Sequence, residues 1–225
     1  MKVLILGGGA SGLMAALSAA QDERNTVTVL ERQSRVGRKL LATGNGRCNL
    51  TNLDLSPVHY HGQDAGFARA ALSRFDGKAT LDFFHALGLL TTAEPSGRVY
   101  PLSDQSNSVV DVLRFAAAQA GVQLVCGFDA QSVKKKARGY QVTGADSSAY
   151  FGDKLIIACG GCAGLSAMTT STIIIKMATQ SWISPLWRAI PASGRTVRLR
   201  RSKSSAGKKA IWSACPPQIN LRRNM

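Results

Sequence analysis

The feature that most constrains the fold of this chain is a glycine-rich turn between two short apolar runs near its N-terminus. Residues 3–6 read VLIL, and the next six residues read GGGASG, which fits the pattern G-x-G-x-x-G. Residues 13–20 are mostly small and apolar, and residues 26–30 read TVTVL before the acidic Glu31. Strand, glycine turn, helix, strand and acid in this order are typical of the first βαβ unit of a dinucleotide-binding Rossmann fold.

The three spaced glycines of this turn each have a predicted role. Gly7 permits the tight turn after the strand, Gly9 lets the backbone approach a pyrophosphate, and Gly12 allows the helix to pack closely on the strand. Ala10 and Ser11 begin the helix, whose N-terminal N–H groups and positive dipole end favour phosphate. The sequence therefore predicts a pyrophosphate site at this turn.

Glu31 follows the second strand, 19 residues after Gly12. Its carboxylate can accept hydrogen bonds from both ribose hydroxyls of a nucleotide, and its charge disfavours a 2′-phosphate. A secretion signal is the alternative use of the same residues, because Lys2 precedes an apolar run and small residues follow. The glycines at 7–9 interrupt that run, which argues for the nucleotide fold.

Composition restricts the class of protein further. The chain has 225 residues, of which 45% are hydrophobic, and this is enough for one large or two small globular domains. It contains no uninterrupted apolar run of about 18 residues, so we expect no membrane-spanning helix. Five cysteines, an odd number without the spacing of a small disulfide scaffold, indicate reduced thiols and a cytoplasmic protein.

The pattern of apolar residues over 1–164 predicts an α/β fold. Parallel strands are expected near 2–6, 26–31, 122–127 and 153–158, with a small β-meander over 130–151. A helical excursion is expected over 64–120, with helices at 64–75, 77–88 and 106–120 and short strands within 89–102. In such a sheet, ligands bind at the C-terminal ends of the parallel strands.

Three further blocks carry a resemblance to a known family. They are GRKLLATGNGRCNLTN (37–52), GRVYPLSDQSNSVVDVL (97–113) and LIIACGG (155–161). Together with the N-terminal turn they resemble the bacterial NAD(P)/FAD-dependent oxidoreductases that include aminoacetone-oxidase-like and bile-acid-operon flavoproteins. The first block follows the family pattern GRK-x-x-x-[ST]-G-x-G-R-C-N-x-T-N almost throughout, and the resemblance covers about residues 1–164.

The resemblance implies a glutathione-reductase-like fold that binds FAD, with an unknown small-molecule substrate and with NAD(P)H or oxygen as redox partner. Gly7, Gly9 and Gly12 would meet the pyrophosphate and Glu31 the adenosine ribose. The other implied cofactor-binding residues are Arg32, Arg38, Lys39, Gly44, Gly46, Arg47, Cys48, Asn49, Ala130, Cys159 and Gly160. The resemblance assigns no catalytic acid or base.

Several of these residues have structural alternatives. Arg47 and Asn49 would equally serve to stitch a long loop together, and Cys48 is expected to be a small packing residue rather than a nucleophile. Cys159 stands where the family turn usually has Thr. The sequence therefore does not show what replaces the hydrogen bond that this Thr would make. The spacing of Cys159 from Cys162 matches a redox dithiol, but a turn that needs small residues explains both cysteines, and no metal site is expected.

The last 61 residues differ from the rest. Residues 165–225 carry 11 Lys/Arg and no Asp/Glu, so +11 of the net charge of +15 belongs to this tail. We expect a frameshift near Leu165 that truncates the family fold, with 165–225 poorly ordered and FAD retained weakly or not at all. A genuine basic tail that binds nucleic acid or acidic lipid non-specifically is the alternative.

Three functional interpretations follow. The first is an FAD-dependent oxidoreductase, impaired by the absence of the C-terminal half of the flavin site. The second is a Rossmann module that binds NAD without flavin, although such a module needs nothing like residues 37–52. The third is an inert fragment. We expect no membrane partner, and nucleic acid only as a non-specific ligand of the tail.

Overall fold

The computed structural model describes residues 1–61, 65–160, 200–203 and 210–213. The strands are β1 (Lys2–Leu6), β2 (Thr26–Glu31), β3 (Thr51–Asn52), β4 (Thr91–Ala93), β5 (Arg98–Pro101), β6 (Gln123–Cys126), β7 (Ala130–Lys135), β8 (Tyr140–Gly144), β9 (Ala149–Gly152), β10 (Lys154–Ile157), β11 (Arg200–Lys203) and β12 (Ala210–Ser213). The α-helices are α1 (Ala10–Ala20), α2 (Arg38–Ala42), α3 (Arg69–Leu72), α4 (Gly77–Ala86) and α5 (Ser106–Gln119).

The central sheet has four strands in the order β10-β1-β2-β6. All three pairings are parallel, so the carboxyl ends of the four strands lie at one edge. The predicted strands near 2–6, 26–31, 122–127 and 153–158 are therefore confirmed. A parallel sheet buries both faces, which explains why four consecutive residues of β1 (3–6) and of β2 (27–30) are buried.

The two faces of β1 pack against different layers because successive side chains of a strand point in opposite directions. Val3 and Ile5 belong to a buried cluster with residues of α1 and α5. Leu4 and Leu6 belong to a second buried cluster that includes Val142 of β8. Helices therefore cover one face of the sheet, and the antiparallel strands β7, β8 and β9 cover the other.

The three-stranded meander lies where the sequence predicts it, over 130–151. Lys134 and Lys135, at the end of β7, are exposed. Phe128, just before the meander, packs edge-to-face on Tyr150 with ring centroids 5.1 Å apart. This contact joins the segment after β6 to strand β9 and so holds the meander against the sheet.

The excursion between β2 and β6 is less helical than predicted. Residues 65–68 form a 3-10 helix that leads directly into the single α-turn α3, so the helix predicted over 64–75 is present but shorter and begins as 3-10 rather than α. Helices α4 and α5 are confirmed, as are the short strands β4 and β5. Strand β3 was not predicted. It adds to this small sheet by pairing antiparallel with β5, which brings loop 37–52 against the excursion.

The basic tail is described only at β11 and β12, which pair antiparallel with Arg200 opposite Ser213. The predicted change of character at 164 lies outside the described residues and stays a prediction, as does the frameshift. Within the described residues, no helix is long and apolar enough to cross a membrane.

Candidate nucleotide-binding site

The candidate site lies at the carboxyl edge of the parallel sheet. Strand β1 ends in the glycine turn, β2 ends at Glu31, β6 ends at Cys126, and β10 runs into Ala158–Gly160. Backbone hydrogen bonds hold these ends together: the N–H of Gly7 donates to Leu30 O, and the N–H of Ala158 donates to Leu6 O, each at 2.8 Å. The fold thus places the glycine turn and the predicted ribose acceptor side by side.

Gly7 and Gly12 are required by sterics. Gly7 has a φ of +101°, and a Cβ there would lie 2.5 Å from the carbonyl oxygen of Ala158. A Cβ on Gly12 would overlap with the carbonyl oxygen of Gly7. Helix α1 therefore approaches β1 more closely than any side chain at position 12 permits, as the sequence predicts.

Gly9 differs from these two glycines because a Cβ there would meet nothing within 4 Å. Gly9 is the N-cap of α1, and no side chain caps this end of the helix. The next two residues, Ala10 and Ser11, are exposed. The first N–H groups of a helix lack intrahelical partners and attract anions. Open space in front of uncapped N–H groups fits a phosphate group.

Glu31 is held by two backbone donors. Its Oε2 accepts from the N–H of Gly8 at 2.6 Å, and its Oε1 accepts from the N–H of Gln33 at 2.8 Å. Each carboxylate oxygen can accept more than one hydrogen bond, so both keep capacity for a ligand. The carboxylate is thus fixed beside the glycine turn with two acceptors presented together, which suits a cis-diol.

Gln33 is a site residue that the sequence reasoning missed. Besides its N–H bond to Glu31, its backbone oxygen accepts from the N–H of Gly127 at 2.8 Å. Its side-chain Oε1 accepts from Nη1 of Arg38. Gln33 therefore links the ends of β2 and β6 to the start of α2. Its position two residues beyond the acid is the signal that could have revealed it.

Loop 37–52 begins against the glycine turn. The N–H of Gly37 donates to Gly8 O at 2.7 Å. Arg38 and Lys39 follow as exposed residues, and Arg32 is also exposed. The Nζ of Lys39 lies 3.8 Å from the position that a Cβ on Gly160 would occupy. The structure therefore brings Lys39 of α2 to the turn that follows β10.

Residues 43–49 form a compact turn with an unusual backbone. Gly44, Asn45 and Gly46 have φ values of 56°, 55° and 86°, and Cys48 has a φ of 61°. The N–H of Cys48 donates to Thr43 O at 3.0 Å, which closes the turn. Cys48 is 2% exposed and belongs to a buried apolar cluster. Burial raises the pKa of its thiol, in agreement with a packing role.

Arg47 contacts the excursion. Its Nη1 donates to Oε1 of Glu94 at 2.8 Å and lies 3.4 Å from Oδ1 of Asp104. Its guanidinium carbon lies 4.0 Å from the centroid of the Tyr100 ring. This geometry matches the alternative that Arg47 stabilises the loop. The predicted contact of Arg47 with a cofactor stays a prediction. Asn49 is exposed.

Comparison with known proteins identifies the family. The model of the HI0933-like protein Rossmann domain matches residues 1–184. The chain belongs to this family. The resemblance noted in the sequence is thereby confirmed, and the family match extends 20 residues beyond the predicted boundary at 164.

Curated relatives of this HI0933-like chain match its N-terminal part. It is 42% identical over 166 residues to the 3-dehydro-bile acid delta(4,6)-reductase of Clostridium scindens, covering 73% of this chain and 40% of the relative. It is 30% identical over 158 residues to the ribosomal RNA dihydrouridine synthase of Escherichia coli, covering 70% of this chain and 39% of the relative. The chain thus spans about 40% of the length of these relatives.

Among solved structures, THI4 of Thermovibrio ammonificans superposes with a TM-score of 0.47 at 16% identity, covering 73% of this chain and 59% of that one.

Ala130 and Cys159, the remaining predicted cofactor-binding residues, both have contacts within the fold. Ala130 is the half-buried first residue of β7, opposite Gly144 of β8. The thiol of Cys159 donates to Leu6 O with an S–O distance of 3.7 Å. Cys159 therefore uses its thiol within the fold, and its proposed dithiol partner Cys162 lies outside the described residues.

Proposed function

We propose that this chain binds the ADP half of FAD at the carboxyl edge of its parallel sheet and acts within an FAD-dependent oxidoreductase. The observation that carries this proposal is the pairing of the open space at Gly9 with the fixed carboxylate of Glu31. A pyrophosphate in front of α1 would accept from the N–H groups of Ala10 and Ser11. The adenosine ribose would then donate its two hydroxyls to Glu31.

The charge of Glu31 also selects among nucleotides. A ribose with a free 2′-hydroxyl can donate to the carboxylate, whereas a 2′-phosphate would place two negative charges in contact. The site therefore suits FAD or NAD and excludes NADP. If NADPH is the electron donor, it binds elsewhere.

The flavin end of the cofactor would lie toward residues 43–49 and the turn Ala158–Gly160. Lys39, which lies beside Gly160, brings positive charge toward the pyrophosphate. Bound FAD supplies hydride or electron transfer, while the protein supplies position and electrostatics. The names of the two curated relatives, a reductase and a dihydrouridine synthase, support redox chemistry here, with NAD(P)H or oxygen as the proposed redox partner.

Calorimetric titration of the purified chain tests this proposal. We expect weak, saturable binding of FAD and of ADP in competition with each other, and no competition by FMN, which lacks the ADP half. Glu31→Arg should abolish the binding of FAD and of ADP, because it replaces the ribose acceptor with a cation. Glu31→Gln, which keeps one acceptor oxygen, should weaken both by about tenfold.

A flavin-free NAD module is the competing function, and the same titration separates it. An NAD module would bind NAD and ADP and gain nothing from the flavin end of FAD. FAD affinity equal to ADP affinity would favour that module. FAD binding that survives Glu31→Arg would contradict the proposed site altogether.

We also propose a cytoplasmic location and a small-molecule substrate. The support for the location is the set of free thiols, since Cys48, Cys126 and Cys159 are all unpaired in the described part of the chain.

A further inference from the structure

We propose that Arg47 is a positioning residue that holds residues 43–49 in shape for the flavin end of the cofactor, and that it does not contact the cofactor itself. This inference rests on the proposed function, because it concerns the same site. It departs from the role that family resemblance assigns to Arg47. Its support comes from three partners of this side chain in the excursion.

The first two partners are acidic. Glu94 follows β4 and Asp104 follows β5. Nη1 of Arg47 lies 2.8 Å from Oε1 of Glu94 and 3.4 Å from Oδ1 of Asp104. The side chains of Arg47 and Glu94 are 33% and 32% exposed, so the closer pair is partly shielded from water. The cation is therefore already neutralised by the protein, which reduces its attraction for an anionic ligand.

The third partner is Tyr100 of β5, which is 3% exposed. The guanidinium of Arg47 lies on its ring, at 4.0 Å from the centroid, in cation–π geometry. Gly44 approaches the same ring, since a Cβ there would lie 3.1 Å from Cε1 of Tyr100. The N–H of Arg47 donates to Gly44 O at 3.1 Å. Gly44 and Arg47 thus both pack on the buried ring of Tyr100.

The turn needs such support because its backbone is unfavourable. Cys48 adopts a left-handed φ of 61°, which residues with side chains adopt rarely, and Asn45 adopts a φ of 55°, which asparagine tolerates better than most residues. Conformations of this kind persist only where the surrounding structure fixes them. Arg47 lies between these two residues and anchors them to β4 and β5.

Removal of the anchor should therefore loosen residues 43–49 and leave the glycine turn unchanged. ADP, which would contact Gly9 and Glu31, should bind as before. FAD should bind less tightly, because its flavin end would meet a disordered loop. Loss of Glu94 should have a smaller effect in the same direction, because Asp104 and Tyr100 still hold Arg47, and Glu94 has no predicted cofactor contact.

The experiment compares Arg47→Met, Glu94→Gln and the double variant with the unmodified 225-residue chain. Asp111→Asn is the matched control, since it removes a carboxylate that pairs with Arg114 at 3.1 Å on the surface of α5. Hydrogen–deuterium exchange reports the amides of residues 43–49, and calorimetry reports the affinities for FAD and ADP. Urea denaturation reports global stability.

We expect each single variant to speed exchange at residues 43–49. Arg47→Met should weaken FAD binding about fivefold and Glu94→Gln should weaken it less, with ADP affinity unchanged. The double variant should be no worse than Arg47→Met, and the control should resemble the unmodified chain. If Arg47→Met weakens FAD binding while Glu94→Gln leaves both affinity and exchange unchanged, Arg47 contacts the cofactor and the inference is wrong.

Failure of the proposed function gives a different result. If the unmodified chain binds neither FAD nor ADP, the exchange data still decide the role of Arg47. Faster exchange at residues 43–49 in both single variants, without an additive effect in the double variant, would support the anchor. Unchanged exchange would overturn it. If Arg47→Met does not fold, Glu94→Gln alone carries the comparison.

Discussion

Adding one methyl group at two glycines of the same turn should have opposite consequences. Gly12 is buried, and a Cβ there would overlap with the carbonyl oxygen of Gly7. Gly9 lies three residues earlier, and a Cβ there would meet nothing within 4 Å. We therefore expect Gly12→Ala to destabilise the fold, and Gly9→Ala to leave the fold intact but obstruct the proposed phosphate position.

The magnitude follows from the atoms involved. Overpacking in a protein core costs about 1–3 kcal/mol, and two backbone segments cannot relieve an overlap by changing rotamer, so the cost at Gly12 should be about 3 kcal/mol. Alanine is favoured over glycine within a helix by about 1 kcal/mol. The net loss in the free energy of unfolding for Gly12→Ala is therefore about 2 kcal/mol. At Gly9, the N-cap, the loss should be about 0.5 kcal/mol.

Urea denaturation followed by far-UV circular dichroism measures the first effect, and titration with ADP measures the second. Gly9→Ala should weaken ADP binding by about tenfold or more, as expected when a site loses the space of one methyl group. Equal stability of the two variants would refute the steric argument for Gly12. Unchanged ADP affinity in Gly9→Ala would show that phosphate does not approach this residue.

Three further predictions concern other parts of the chain. Leu113 is 1% exposed and Phe115 is 63% exposed, so Leu113→Ala should lower the free energy of unfolding by about 2–5 kcal/mol in urea denaturation, whereas Phe115→Ala should change it by less than about 0.5 kcal/mol. The hydrogen bond from His59 lowers the pKa of Asp54 to about 2, and an NMR titration should show this value return toward 3.8 in His59→Ala. Because the folded-state pKa is lowered, the pair stabilises the fold above about pH 4, and this contribution disappears as the pH falls toward 2. Cys48, buried and with a raised thiol pKa, should react slowly with a thiol reagent in the folded chain and rapidly in urea, as followed by mass spectrometry.

The sequence predicted those parts of the molecule that local physics determines. Uninterrupted apolar runs specify buried parallel strands, and all four were placed correctly. Gly7 and Gly12 were predictable because a tight turn and a close helix leave no room for side chains there. The helix predicted over 64–75 is shorter in the structure, a 3-10 turn followed by one α-turn, because its apolar spacing extends over few residues and so short a helix is marginal. Strand β3 has two residues, too few for a period-2 pattern to be recognised.

The same distinction explains which site residues could be assigned. Glu31 and the glycine turn are joined by one βαβ unit, so spacing alone brings them together, and the hydrogen bond from the N–H of Gly8 to Oε2 of Glu31 confirms it. The partners of Arg47 are 47 and 57 residues away along the chain, and no spacing rule connects them. An arginine beside a glycine-rich loop is interpreted from sequence as an anion-binding residue, and only the three-dimensional structure shows its acidic partners. Assignment of cofactor contacts within residues 37–52 therefore depends on which of its cations the fold has already neutralised.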